Sequence, residues 1–162
     1  MALICIHNAT VVSGYAQMPD SAVLIDGDRI ADVFSERRFK QKHFGSSDIV
    51  IDARQNYVIP GLIDTHIHGF GGYGTEDLST SSILHMSELL AKYGVTSFIP
   101  TLYPMSTDEM LNGIRAISAA IGFERGATIL GIHLEGPFIS PDRLGAQKPE
   151  SVKPVDLDLM NQ

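Results

Sequence analysis

The chain has 162 residues, with twelve lysines and arginines against nineteen aspartates and glutamates, a formal charge of −7, and no basic cluster able to neutralise a run of phosphates. Nucleic acid is therefore not an expected partner. Cys5 is the only cysteine, which rules out an internal disulfide and a cysteine-rich zinc site and fits a reducing, cytoplasmic setting. The opening MALICIHNATVV lacks the basic leader and long apolar core of a secretory signal. No apolar run nears the roughly 18 residues of a membrane span, so a soluble chain with no membrane partner is expected.

Three short β-rich runs come first: LICIHNATVV, AVLIDGDRIADVF and DIVIDA. Gly14, Asp26-Gly27 and Gly45 punctuate them, and Asp-Gly between apolar runs is a strong hairpin signal, so the pattern predicts a small antiparallel sheet. From Tyr57 the rhythm changes to strand, helix, strand, helix. YVIPGLIDTHI predicts one strand. SSILHMSELLAKYG, with Ile83, Leu84, Met86, Leu89 and Leu90 at helical spacing, predicts an amphipathic helix that begins near Ser81 and stops at Gly94. VTSFIPTLY is a second predicted strand. TDEMLNGIRAISAAIG is a second helix, with Ser106 or Thr107 as N-cap and Gly122 near its end, and ATILGIHLEG is a third strand.

This alternation predicts parallel βαβ units, which belong to a barrel or a doubly wound sheet. Three strands cannot close a barrel, so their edges are expected to be exposed. Beyond Gly136 the prolines at 137, 141, 149 and 154 and Gly145 break any long element and predict a loop over a site.

The chemistry gathers at strand ends. His66 and His68 stand at i and i+2 of a strand, where side chains return to one face, so two imidazoles aim at one point. Neutral imidazole is a favoured ligand of zinc and other first-row metals. A lone histidine on an apolar strand is more often a satisfied core residue; the pair, preceded by Asp64 and followed by Gly69, Gly71 and Gly72, points toward a metal. The glycines allow a tight turn off the strand end. On the third strand His133 and Glu135 repeat the i, i+2 spacing, and a carboxylate at the C-terminal end of a βα strand lies where such folds build their sites. Glu135 would complete a two-histidine, one-carboxylate shell with a position open for water. His133 reads as a core histidine or as a group supporting the ligands. His7, His43 and His85 read as structural or exposed, Met86 and Met110 as core filling, and GFGGYG lacks the lysine and helix of a phosphate-binding loop.

The motifs PGLIDTHIHG, GVTSFIPT and GIHLEGPFISPDRLGAQ, in that order after a small β region, resemble the N-terminal portion of the N-acetylglucosamine-6-phosphate deacetylase family of the amidohydrolase superfamily. The HxH pair marks only the superfamily, whereas HLEGPF followed by GAQ is more specific to this deacetylase. The resemblance implies a (β/α)₈ TIM-type barrel with a small β-sandwich, of which residues 1–55 would be the first part of the sandwich and 56–162 the first three βα units. It further implies that Glu135, His66 and His68 are metal ligands and that Ala146 and Gln147 contact the amino sugar. The metal would be zinc in the first instance, with iron, manganese, cobalt or nickel as alternatives and one or two ions in all.

The implied reaction is hydrolysis of the acetamide of N-acetylglucosamine 6-phosphate to glucosamine 6-phosphate and acetate, with a family aspartate that would lie downstream of this chain. The expectation is accordingly an N-terminal segment that is inactive alone and that pairs through its open edges into a homodimer or higher assembly. Two rivals stand beside this reading. One is a cyclic-amide hydrolase of the dihydroorotase type, disfavoured because no lysine stands near a strand end to serve as the bridging ligand. The other is a self-associating fragment with vestigial histidines, which would bind metal weakly. A nucleotide-binding βα domain would need a glycine-rich turn leading directly into a helix.

Overall fold

Local turn chemistry starts the fold in the computed structural model, which describes residues 2–161. Strands β1 (Leu3–Ser13), β2 (Ala16–Asp26) and β3 (Arg29–Ser35) form an antiparallel meander. Its two-residue connections lie between the pairs Ser13↔Ala16 and Asp26↔Arg29, with Gly14 and Gly27 at positive φ. A single helical turn, α1 (Glu36–Phe39), follows.

The sheet is not wholly antiparallel, as the turn signals alone predict. Strands β4 (Ile49–Asp52) and β5 (Tyr57–Val58) both run parallel to β1 on its free edge. Parallel pairing depends on a crossover and a distant partner rather than on a local turn, so no short-range motif announces it. Cys5, Ala22 and Phe34 fill one core cluster, and Ala9, Val11 and Val23 another. Burial, the largest influence on it, pushes the Cys5 thiol above its usual value. Together these elements make one compact unit, Met1–Pro60.

A second unit covers Gly61–Gln162. The predicted run YVIPGLIDTHI therefore splits: Tyr57–Val58 belongs to the first sheet, and β6 (Leu62–Ile67) opens the second. Pro60, which has no N–H to donate to a ladder, lies between them. A tight hairpin of β7 (Gly69–Phe70) and β8 (Tyr73–Gly74) follows, turned by Gly71 and Gly72 at φ +64 and +89, where side chains with a Cβ are strained.

Helix α2 (Thr80–Ala91), starting one residue before the position expected, leads to β9 (Val95–Leu102). Helix α3 (Thr107–Ser118) is capped by Ser106, whose side chain accepts the Glu109 N–H while the Glu109 carboxylate accepts the Ser106 N–H. The third predicted strand is broken into β10 (Thr128–Ile129) and β11 (His133–Leu134), both parallel to β9. Gly131 lies in the gap.

Strand β9 is central, with β6 on one side and β10 and β11 on the other, and all pairings are parallel. Phe98, Leu102 and Ile129 from the sheet pack with Ile83, Met86, Leu90 and Ile117 from the helices. Among the described residues β6 has no strand partner beyond β9 within this unit, and Leu62 and Ile63 are more than half exposed there. After Gly136 the chain makes only short turns, Pro141–Arg143 and Pro149–Ser151, and α4 (Leu157–Met160), as the prolines predict. No helix among the described residues is long and apolar enough to cross a membrane.

Candidate metal centre

The C-terminal ends of the parallel strands bring three side chains of the second unit together. His66 is in β6, His68 follows it by one residue, and Glu135 follows β11, with its N–H donating to the Leu102 carbonyl at 3.1 Å. The i, i+2 spacing places both imidazoles on one face, with Nε2 atoms 3.2 Å apart. Glu135 Oε2 stands 3.1 Å from His68 Nε2 and 3.8 Å from His66 Nε2. Ligands about 2.1 Å from a common tetrahedral zinc are about 3.4 Å from one another, so these separations bracket what a metal requires.

Hydrogen-bond accounting supports the same conclusion. His68 Nδ1 lies 2.9 Å from the Thr101 main-chain carbonyl, which can only accept, so Nδ1 carries the proton and a neutral His68 turns the Nε2 lone pair toward Glu135. Glu135 Oε2 is buried, and no N–H or O–H is directed at it. Two imidazole nitrogens and a carboxylate oxygen thus face one another, an arrangement that asks for a cation among them. The donor set of two nitrogens and one oxygen suits zinc and other first-row divalent ions.

Surrounding groups hold these three side chains in place. The Tyr103 ring stacks on His68 with centroids 3.7 Å apart and planes 8° from parallel. Partial burial, followed by the charges of Glu76 and Glu135, pushes the Tyr103 phenol above its usual value, so it remains a protonated donor at neutral pH. His133 packs edge-on to His66 with centroids 4.9 Å apart, and its Nδ1 is 3.2 Å from the Thr101 hydroxyl. It is half-buried and lies against His66. Asp64 accepts the His66 main-chain N–H at 3.1 Å.

Ala146 and Gln147 lie apart from these three side chains, in a cleft of about 570 Å³ whose other walls include Tyr103, Ser106, Glu109 and Lys148. Tyr103 links the two places, because one residue both lines the cleft and covers His68. Sequence reading singled out neither Thr101 nor Tyr103. The only trace of Thr101 was a polar, β-branched residue between Pro100 and Leu102, near the end of the predicted strand.

The amidohydrolase family profile matches residues 57–160. N-acetylglucosamine-6-phosphate deacetylase of Bacillus subtilis is 35% identical over 160 residues, covering 96% of this chain and 38% of that protein. The crystal structure of N-acetylglucosamine-6-phosphate deacetylase from Pasteurella multocida superposes with a TM-score of 0.85 at 22% identity, over 98% of this chain and 41% of the other. That of a Mycobacterium smegmatis deacetylase variant in complex with N-acetyl-D-glucosamine-6-phosphate superposes at 0.76 with 24% identity, over 99% of this chain and 39% of the other. The chain spans about two fifths of the length of these proteins.

Proposed function

The chain belongs to the amidohydrolase family, and from that premise we propose that the whole protein removes the acetyl group from N-acetylglucosamine 6-phosphate, giving glucosamine 6-phosphate and acetate. The observation that carries this reading is the buried Glu135 oxygen facing two imidazole nitrogens in a chain so similar to a deacetylase. His66, His68 and Glu135 are the proposed metal ligands, with zinc the first choice. A divalent ion held there would act as a Lewis acid toward the acetamide carbonyl and lower the pKa of water toward neutrality. The groups around it do the positioning: the Thr101 main-chain carbonyl and the Tyr103 ring fix His68 from two directions, and Asp64 fixes the backbone at His66. Ala146 and Gln147 line the cleft in which we place the amino sugar.

The proposed complete fold is a (β/α)₈ barrel, and the outer edge of β6, where Leu62 and Ile63 are exposed, supports the addition of further strands. Turnover is assigned to the whole protein, and the 162-residue chain alone is expected to bind metal without releasing acetate. The test is acetate release from N-acetylglucosamine 6-phosphate by the whole protein with and without Glu135→Ala, beside dihydroorotate as the cyclic-amide control. Loss of acetate release in the variant supports the assignment. Normal turnover in Glu135→Ala, or preference for the cyclic amide, overturns it.

A further inference from the structure

One residue shares polar contacts with two imidazoles. Thr101 is fully buried at the C-terminal end of β9, between the strands that carry the histidines. Its carbonyl oxygen faces His68 Nδ1 at 2.9 Å and the Thr75 hydroxyl at 2.8 Å. Its own hydroxyl has three neighbours: the Ile67 N–H at 3.2 Å, the Ile99 carbonyl at 3.3 Å and His133 Nδ1 at 3.2 Å.

A hydroxyl has one proton and two lone pairs. The Ile67 N–H can only donate and the Ile99 carbonyl can only accept. All three contacts are met together in one way: the hydroxyl gives its proton to Ile99, and its lone pairs receive the Ile67 N–H and a proton on His133 Nδ1. In a buried position this full satisfaction outweighs any allocation that leaves a polar group unpaired.

We propose that Thr101 is a positioning residue that holds both His68 and His133 as Nδ1–H tautomers, so that Nε2 of both rings stays unprotonated. Nothing in the His66-His68-Glu135 ligand set requires this of His133; it follows from the hydroxyl alone. Thr75 assists by sharing the Thr101 carbonyl, and it too is almost completely buried. The consequence for metal binding rests on the metal-centre reading above, whereas the tautomers do not.

The test begins with ring ¹⁵N shifts of the metal-free, full 162-residue chain, recorded at about pH 8, above the ordinary imidazole range. Both His68 and His133 are expected as Nδ1–H forms. Thr101→Val is expected to move His133 toward the Nε2–H form while His68 stays unchanged, since the main-chain carbonyl survives; Thr101→Ser restores the original state. An Nε2–H form of His133 in the unaltered chain overturns the proposal without any variant, so a Thr101→Val protein that fails to fold does not protect it.

Zinc affinity, measured by competition with a chromophoric chelator, is expected to fall by less than about 10-fold in Thr101→Val, because the carbonyl holding His68 survives and only His133, packed on His66, loses its anchor, and to recover in Thr101→Ser. Equal affinity in a folded Thr101→Val, with zinc bound tightly by the unaltered chain, removes Thr101 from the metal site while leaving the site assignment intact. Failure of the unaltered chain to bind zinc, with the tautomers as expected, counts against the metal reading and leaves the tautomer assignment standing.

Discussion

Two histidine–carboxylate pairs in this molecule have the same separation and opposite meanings. His7 Nδ1 lies 3.1 Å from Glu36 Oε1 in the first unit, and His68 Nε2 lies 3.1 Å from Glu135 Oε2 in the second. Their exposures are similar as well, at 18% and 19% against 22% and 30%. Distance and burial therefore do not separate structure from function here. What separates them is the use made of the remaining atoms. The second Glu36 oxygen accepts the Asn8 N–H at 2.8 Å, and His7 is stacked on Phe39, so the pair closes on itself. In the other pair His68 spends its proton on Thr101, which leaves its Nε2 lone pair turned toward His66 Nε2 and the buried oxygen of Glu135, an oxygen that no donor reaches.

The sharpest way to break this contrast is to remove each carboxylate. Glu135→Ala is expected to weaken zinc binding more than about 100-fold, beyond the loss seen for groups that only support a ligand. Its metal-free stability is expected to hold or rise, because a buried oxygen without a donor is removed. Glu36→Ala should do the reverse, leaving zinc affinity unchanged and costing about 1–3 kcal/mol through the unpaired Asn8 N–H. Chelator competition and denaturant unfolding read the two effects separately.

Metal addition sharpens the same point. At a free zinc concentration of 100 times the dissociation constant, the second unit should gain about 2.7 kcal/mol, reversed by EDTA and absent from Glu135→Ala. Hydrogen exchange would locate the gain; added protection confined to Met1–Pro60 contradicts the assignment. A smaller effect tests the scaffold behind the site. Ser106→Ala removes the cap of α3 and should cost about 1 kcal/mol in thermal unfolding, with zinc affinity retained.

The smallest expected effect is shared by both units. The Ser106 side chain and then its N–H hold the Glu109 carboxyl below the usual range, and the Leu3 and Gly45 N–H groups do the same for Asp48. Carboxyls with lowered folded pKa values contribute stability that is fully present above their unfolded values of about 4 and is lost as pH falls through the folded ones. Unfolding curves between about pH 5 and pH 2 should show this loss, and Ser106→Ala should make it shallower.

The reach of the sequence follows the range of the interaction. The turns at Gly14, Gly27 and Gly71-Gly72 are written in adjacent residues, and so is the capping box of Ser106 and Glu109. The convergence of His66 with His68 follows from the two-residue period of a strand, and that of Glu135 from its place at the end of a parallel neighbour. The parallel addition of β4 and β5 and the break between β10 and β11 rest on distant partners and were not legible. Thr101 was hidden for the same reason: its importance lies in groups at 67, 68, 75 and 133, which come together only through sheet register. Tyr103 was equally silent, since ring stacking on His68 leaves no spacing signal.

The most direct test is a zinc titration of the full chain followed through the ring nitrogens of its histidines. The account predicts that the Nε2 resonances of His66 and His68 shift together at one equivalent, that His7 does not move, and that Glu135→Ala abolishes the shifts. Zinc-induced shifts at His7, or none at His66 and His68, would contradict it.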